Sequence, residues 1–290
     1  MTFQIDITTA FNALKSLEDW LNVKGEDILK FVLKQKYIYH VQDFTEHFCI
    51  EDSAIMRGDL NLVSLHVTTN NDRCETIEKF GLMNLQDTIN SDTPLGNYLR
   101  DQGIRIDLAK KIIEYKGELF SIAEKDEYSF PGSKGRYKNN VIHKLYEDHQ
   151  INGFFCCRNV LRYGGGVSHR PEILYSLSVM LGNQDIAYNW MREKNKCYVL
   201  KYFADISEFE HYTFDVKVLN TKDYKENMRE YELDKRKWLI TKALSVIFDD
   251  MYDYSLPEVF SYAKFNTKIP FEHIEVFSDR EYIDKYKIKD

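Results

Sequence analysis

The order of its segments constrains this chain most. Strand-like stretches are separated by irregular groups of helix-like ones, and several β segments gather towards the end. A doubly wound sheet needs strand and helix to alternate evenly, so the pattern predicts the α+β class instead. Leu60–Thr69 is the clearest strand, with Val63, Leu65 and Val67 on one side and Ser64, His66 and Thr68 on the other. Residues 8–22 carry Phe11, Leu14, Leu17 and Leu21 at helical spacing behind Thr8 or Thr9 as a cap, and a second helix is expected over 26–34. Residues 1–59, including the β-former-rich stretch Tyr37–Cys49, are therefore expected to form an N-terminal extension ahead of a main domain over 60–290.

Further along, Asp72 is placed to cap a helix that ends at Phe80, with Gly81 just past it. Helices are expected at 95–102, 106–115, 140–149, 171–181 and 184–193. Strands are expected at 153–157, 196–203, 258–263 and 269–277. Residues 126–139 hold one Pro, two Gly and two Ser and read as a long loop, and 164–166 are three consecutive glycines. Residues 217–237 are heavily charged and open a long solvated helix whose later part, 238–248, turns amphipathic.

Of the 290 residues, 43% are apolar and 14% aromatic, enough to offset chain entropy in a folded core. No stretch nears the ~18 consecutive apolar residues of a membrane helix, and the first residues lack the basic start of a signal peptide. A cytoplasmic protein with no membrane partner is expected. The five cysteines are scattered, without metal spacing, and read as reduced core or near-core thiols. The eight histidines form no H-E-x-x-H, so no metal site is expected, and no G-x-S-x-G elbow marks a nucleophile. The formal net charge of −7 argues against strong passive attraction to nucleic acid, although a local basic groove on an acidic protein stays compatible with a nucleic-acid substrate.

Three patches together resemble the ADP-ribosyltransferase superfamily, in the manner of bacterial toxin or phage-defence members. They are LHVTTNNDRCETIEKFGL at 65–82, INGFFCC at 151–157 with NWMREKNKCYVLKYFADISEF at 189–209, and PEVFSYAKFNTKIPFEHIEVF at 257–277. The resemblance implies a split mixed or antiparallel sheet with helical insertions. It also implies an enzyme that takes NAD as substrate and moves ADP-ribose to a macromolecule, with nucleic acid preferred over protein as acceptor. There is no Ser-Thr-Ser central motif and no Gln/Glu-x-Glu turn ending on Glu258, which counts against protein arginine as that acceptor.

Glu258 is the expected catalytic carboxylate, stabilising an oxocarbenium-like ribose, with Glu272 and Glu275 as competitors. An exposed Glu opening a strand is the plainer alternative. His66 is the expected second catalytic residue, holding a ribose hydroxyl or the nicotinamide amide, with Thr68 assisting; a His bonded to backbone is its alternative. Phe154, Phe155 and Tyr163 are candidate walls for the nicotinamide ring, against simple core packing. Arg158, Arg162 and Arg170 are candidates for the pyrophosphate. The triglycine lacks the spacing of a dinucleotide-binding fingerprint and reads as a loop able to close over ligand. Lys134, Arg136 and Lys138 form the one compact basic patch for a nucleic-acid backbone, or an ordinary solvated loop. Two rival readings stand beside the enzyme: a non-catalytic nucleotide- or RNA-binding protein on a related fold, and a partner-binding module whose helix at 217–237 docks an antitoxin or chaperone.

Overall fold

The computed structural model describes residues 1–34, 40–193, 195–218 and 221–288. The chain begins with β1 (Thr2–Ile5), α1 (Ala10–Leu21), α2 (Gly25–Lys34), α3 (Val41–His47), α4 (Asp52–Ile55) and β2 (Asp59–Asn70). It continues through α5 (Glu75–Phe80), α6 (Leu85–Asn90), α7 (Pro94–Asp101), β3 (Ile104–Asp107), β4 (Ile112–Tyr115), β5 (Glu118–Ser121), α8 (Lys134–Tyr146) and β6 (Asn152–Cys156). It closes with α9 (Glu172–Met180), α10 (Asp185–Arg192), β7 (Lys196–Asp205), α11 (Thr221–Met251), β8 (Val259–Tyr262), β9 (Ile274–Ser278) and α12 (Asp279–Tyr286). This is a mixed α+β fold with antiparallel sheets. It divides into two compact units, one of residues 1–66, 152–160 and 201–264, the other of residues 67–151, 161–200 and 265–290.

In the first unit the strands lie in the order β8-β6-β2-β7, with β1 parallel to β2. Leu65 stands opposite Phe154, and Phe154 opposite Phe260, so β6 is central. Residues 1–59 lie within this unit, and the boundary expected between residues 59 and 60 falls inside it. Thr9 caps α1 by accepting from the Asn12 amide, and Asn22 ends it in the left-handed region. The buried side of α1, with Ala13, Leu17 and Trp20, packs along α11. From α11, Leu239, Ile240, Leu244, Val246 and Ile247 are all buried, each worth roughly 1.5–3 kcal/mol of removed apolar surface. The earlier part of α11, Lys222–Glu230, is mostly exposed, as its charge requires. Of the stretch expected to be β-rich, residues 37–39 lie outside the described ones, and 41–47 form α3. Tertiary packing explains that difference, because the fully buried Phe44 ring meets Phe31 at 5.4 Å and Phe48 at 5.0 Å.

In the second unit, α5 is held at its start by Asp72, which accepts from the Thr76 amide and hydroxyl. Gly81 ends it at φ 77°, and Leu82 bridges to Ile269. The helix expected over 106–115 is absent. The β3-β4-β5 sheet occupies 104–121, with Tyr115 opposite Glu118 around Lys116 and Gly117. Both turn residues have positive φ, 52° and 82°, the two-residue hairpin turn that follows the twist of its strands. Buried Ile104 and Ile113 from these strands join a core with Leu145, Leu174, Leu177 and Trp190. Helix α8 begins at Lys134, six residues earlier than expected, because Ser133 caps it by accepting from the Arg136 amide.

Candidate functional site

Two of the expected site residues, His66 and Glu258, belong to the first unit with Phe154, Phe155 and Arg158. His66 sits on β2, partly accessible, with its Nδ1 2.7 Å from the Asn152 carbonyl oxygen. A carbonyl only accepts, so Nδ1 carries the hydrogen and Nε2 of the neutral ring is left as an acceptor. Burial lowers the pKa of this imidazole, with the Asn152 bond acting against the shift. The ring is thus neutral at physiological pH, with one lone pair to offer a hydroxyl.

The polar face of β2 is covered from inside at Ser64. Its hydroxyl lies 2.5 Å from that of Ser261 on β8, and both face the buried Tyr202 phenol of β7. Gly153 makes the approach possible: a Cβ there would stand 2.6 Å from the Leu65 carbonyl and the Ser64 hydroxyl, and 3.0 Å from the Ser261 hydroxyl. No ligand is needed to satisfy Ser64.

Glu258 is exposed, immediately before β8, and makes no hydrogen bond or ion pair among the described residues. Its charge is felt at Cys157, whose buried thiol is pushed up first by desolvation and then by this carboxylate. The strand register separates it from His66. One step from Leu65–Phe154, His66 is level with Gly153 and Ser261; one step from Val259–Cys156, Glu258 is level with Cys157. That is three residues along β8 and four along β6, roughly 10–13 Å, with two strand spacings of ~4.8 Å across. The two side chains do not converge on one ribose-sized space.

Phe155 is 1% exposed and packs against Phe209 at 5.1 Å and Phe214 and Trp238 at 6.3 Å. It is a core residue. Phe154 is also buried, beside Phe260 at 5.3 Å. Arg158 is exposed just beyond β6.

The other expected residues lie in the second unit. Thr68 is half-buried on β2, and its neighbour Thr69 accepts from the Trp190 indole at 3.0 Å. Arg162 closes a 3-10 turn and is exposed, as is Tyr163. The triglycine itself forms a 3-10 turn. The Arg170 guanidinium lies 4.8 Å over the Tyr175 ring. Glu272 is exposed in a 3-10 turn, and Glu275 on β9 pairs with Lys285 at 2.8 Å. Neither has a catalytic environment more developed than that of Glu258.

The second unit also holds a cleft of about 200 Å³, lined by Asn71, Asp72, Asn97, Tyr98, Asp101 and Glu193 among others. Its carboxylates, with no cation in the lining, make it hostile to a pyrophosphate and receptive to a cationic or hydroxyl-bearing group. Sequence reasoning did not single it out, because its walls come from three separated segments with no common motif.

Of the five cysteines, Cys74, Cys156 and Cys157 are buried, Cys197 is half-buried and Cys49 is exposed; none is bridged. Burial pushes the thiol of Cys74 up to about 11 and that of Cys197 up to about 12, so neither supplies a thiolate nucleophile at neutral pH. Among the described residues, no group of three or more His, Cys, Asp and Glu side chains is placed to hold a metal ion, and no helix is long and apolar enough to cross a membrane. No family model, curated protein or solved structure matches this chain.

Proposed function

We propose that the chain is an NAD-dependent ADP-ribosyltransferase that moves ADP-ribose to a macromolecule, nucleic acid ahead of protein, as a toxin or defence effector working in the cytoplasm. The observation that carries the proposal is the state of His66. Its Nδ1 is tied to the Asn152 carbonyl, and Nε2 remains an acceptor for a ribose hydroxyl. Glu258, exposed at the head of β8, supplies the carboxylate on the same unit.

In this reading the two residues serve different parts of one extended dinucleotide, His66 the adenosine ribose and Glu258 the nicotinamide ribose. At Glu258 the glycosidic bond to nicotinamide breaks with its electron pair leaving on the pyridine nitrogen. The carboxylate stabilises the positive ribose carbon and takes the proton of the acceptor group as the new bond to that carbon forms. Purified protein should release nicotinamide from NAD and label an acceptor, to be identified by mass spectrometry of cellular nucleic acid and protein. Glu258→Gln should abolish release with an unchanged melting curve, and His66→Gln should raise KM for NAD. A fully active Glu258→Gln protein overturns the assignment.

A second reading, a nucleotide- or RNA-binding protein on a related fold without transfer chemistry, is favoured by one observation. Among the described residues Glu258 has no hydrogen-bond or ion-pair partner, whereas preorganised catalytic groups are held by supporting contacts. NAD binding without nicotinamide release would decide for it.

A further inference from the structure

We infer that the second unit carries a binding surface for single-stranded nucleic acid on the first turn of α8, the loop before it and the N-terminal half of α9. This surface does not rest on the transfer chemistry, and its rings and cations bind a strand without NAD.

The loop is anchored to α8. Asn139 accepts from the Asp126 amide at 2.7 Å and donates to the Asp126 carbonyl at 2.9 Å and the Ser129 hydroxyl at 3.1 Å. It then presents Tyr128 and Phe130 at 94% and 70% exposure, far beyond what an ordinary surface ring shows. From α8 itself, Tyr137 meets Tyr175 of α9 edge-on at 5.4 Å, and Tyr175 is 39% exposed. Exposed rings are thus carried by the loop before the helix and by the helix α8 packs against.

Some of the cations of this surface are committed and two are not. Lys138 is taken up by Asp126 at 2.7 Å, and Lys144 by Asp148 and Glu172 at 2.6 and 2.8 Å. Lys134 and Arg136, both exposed on the first turn, have no acidic partner among the described residues. The Lys134 ammonium reaches over Gly182, just past α9, where an added Cβ would stand 3.0 Å from it. Arg170 adds a third cation on the face of Tyr175. Of the carboxylates near this surface, Asp126 and Glu172 are spent on those lysines, and Glu124 and Glu127 are exposed in the loop.

Exposed rings alternating with unpaired cations fit a strand whose bases are free to stack and whose phosphates run past the cations. A duplex keeps its bases stacked on each other and offers only phosphates. Nothing in the surface selects for the 2′-hydroxyl, so the occupant is a single strand whichever its sugar.

The test is fluorescence anisotropy of the full chain with fluorescein-labelled twelve-nucleotide oligo(U) and oligo(dT), the matching duplex, and labelled heparin, at several salt concentrations. Both single strands should bind more tightly than duplex and heparin. Tyr175→Leu and the pair Tyr128→Ser with Phe130→Ser should each weaken binding about 5-fold or more, the scale of losing one stacked base. Lys134→Gln with Arg136→Gln should weaken binding at low salt and reduce the salt slope by about 1.4, two phosphates' worth on a single strand. All substituted groups are at least partly exposed, and unchanged melting curves confirm that the variants fold. Failure of the parent protein to bind either strand overturns the inference. So does equal binding of duplex or heparin, or binding by the folded variants that matches the parent.

Discussion

Phe155 separates a ligand wall from a core residue more sharply than any other side chain of the candidate site. Its ring is 1% exposed among Phe209, Phe214 and Trp238, the last from α11. Phe155→Ala removes that ring from a space its neighbours cannot close, at a cost of about 3–5 kcal/mol. Against a typical domain stability of about 5–15 kcal/mol, that is a large fraction. It corresponds to a fall in melting temperature of roughly 6–20 °C. Phe155→Leu retains most of the volume and should cost under about 1.5 kcal/mol. The assay is thermal unfolding followed by circular dichroism, run beside an NAD titration of each folded variant at low temperature. The alanine variant should melt far below the parent, while the leucine variant should melt close to it and titrate with NAD as the parent does. The reasoning is refuted if Phe155→Ala melts within a degree or two of the parent. It is also refuted if Phe155→Leu loses NAD affinity while its melting curve stays put, because the ring would then touch ligand.

Three further outcomes are expected. Arg236 on α11 donates to the carbonyls of Ile55, Arg57 and Gly58 at 3.0, 3.4 and 2.8 Å, so Arg236→Met orphans those acceptors and should cost about 3–5 kcal/mol in denaturant unfolding; a midpoint equal to the parent's would contradict this. Because burial lowers the pKa of His66, the unfolded state takes up its proton first as pH falls below about 6.5. Stability is therefore lost through that window until the folded ring also protonates, and His66→Gln should flatten this part of a pH–melting profile. His149 and His211 are shifted in the same direction by burial, so a residual slope should persist in that variant; an unaltered slope would remove His66 from the account. Gly117→Val places a β-branched residue at φ 82° in the β4–β5 turn and should cost roughly 1–2 kcal/mol, read as faster amide hydrogen exchange at Ile113 and Phe120; unchanged protection there would show that the turn tolerates it.

What was legible in the sequence was local. Thr9 before α1, the alternation through β2, Pro171 before α9 and the switch from charge to amphipathic spacing within α11 each follow from chemistry within a few residues, and the structure has these elements. The hairpins at 104–121 were also written locally, in the Lys116–Gly117 turn between the short runs Ile112–Tyr115 and Glu118–Ser121. They were missed because short apolar runs fit a helix and a strand almost equally well. The α-helical state of 41–47 had a different origin, since Phe44 takes its conformation from the rings of other segments.

The candidate site was decided at the tertiary level. A one-dimensional pattern places His66 and Glu258 on strands, but only the pairing of both strands through β6 sets them at different levels. The same pairing puts Ser261 over Ser64, and α11 over Phe155, so a face that reads as ligand-ready is partly closed by the protein itself. Side-chain type and spacing determine what an element is. Register and packing partners, which depend on residues far away in the chain, determine which of its groups remain open to anything else.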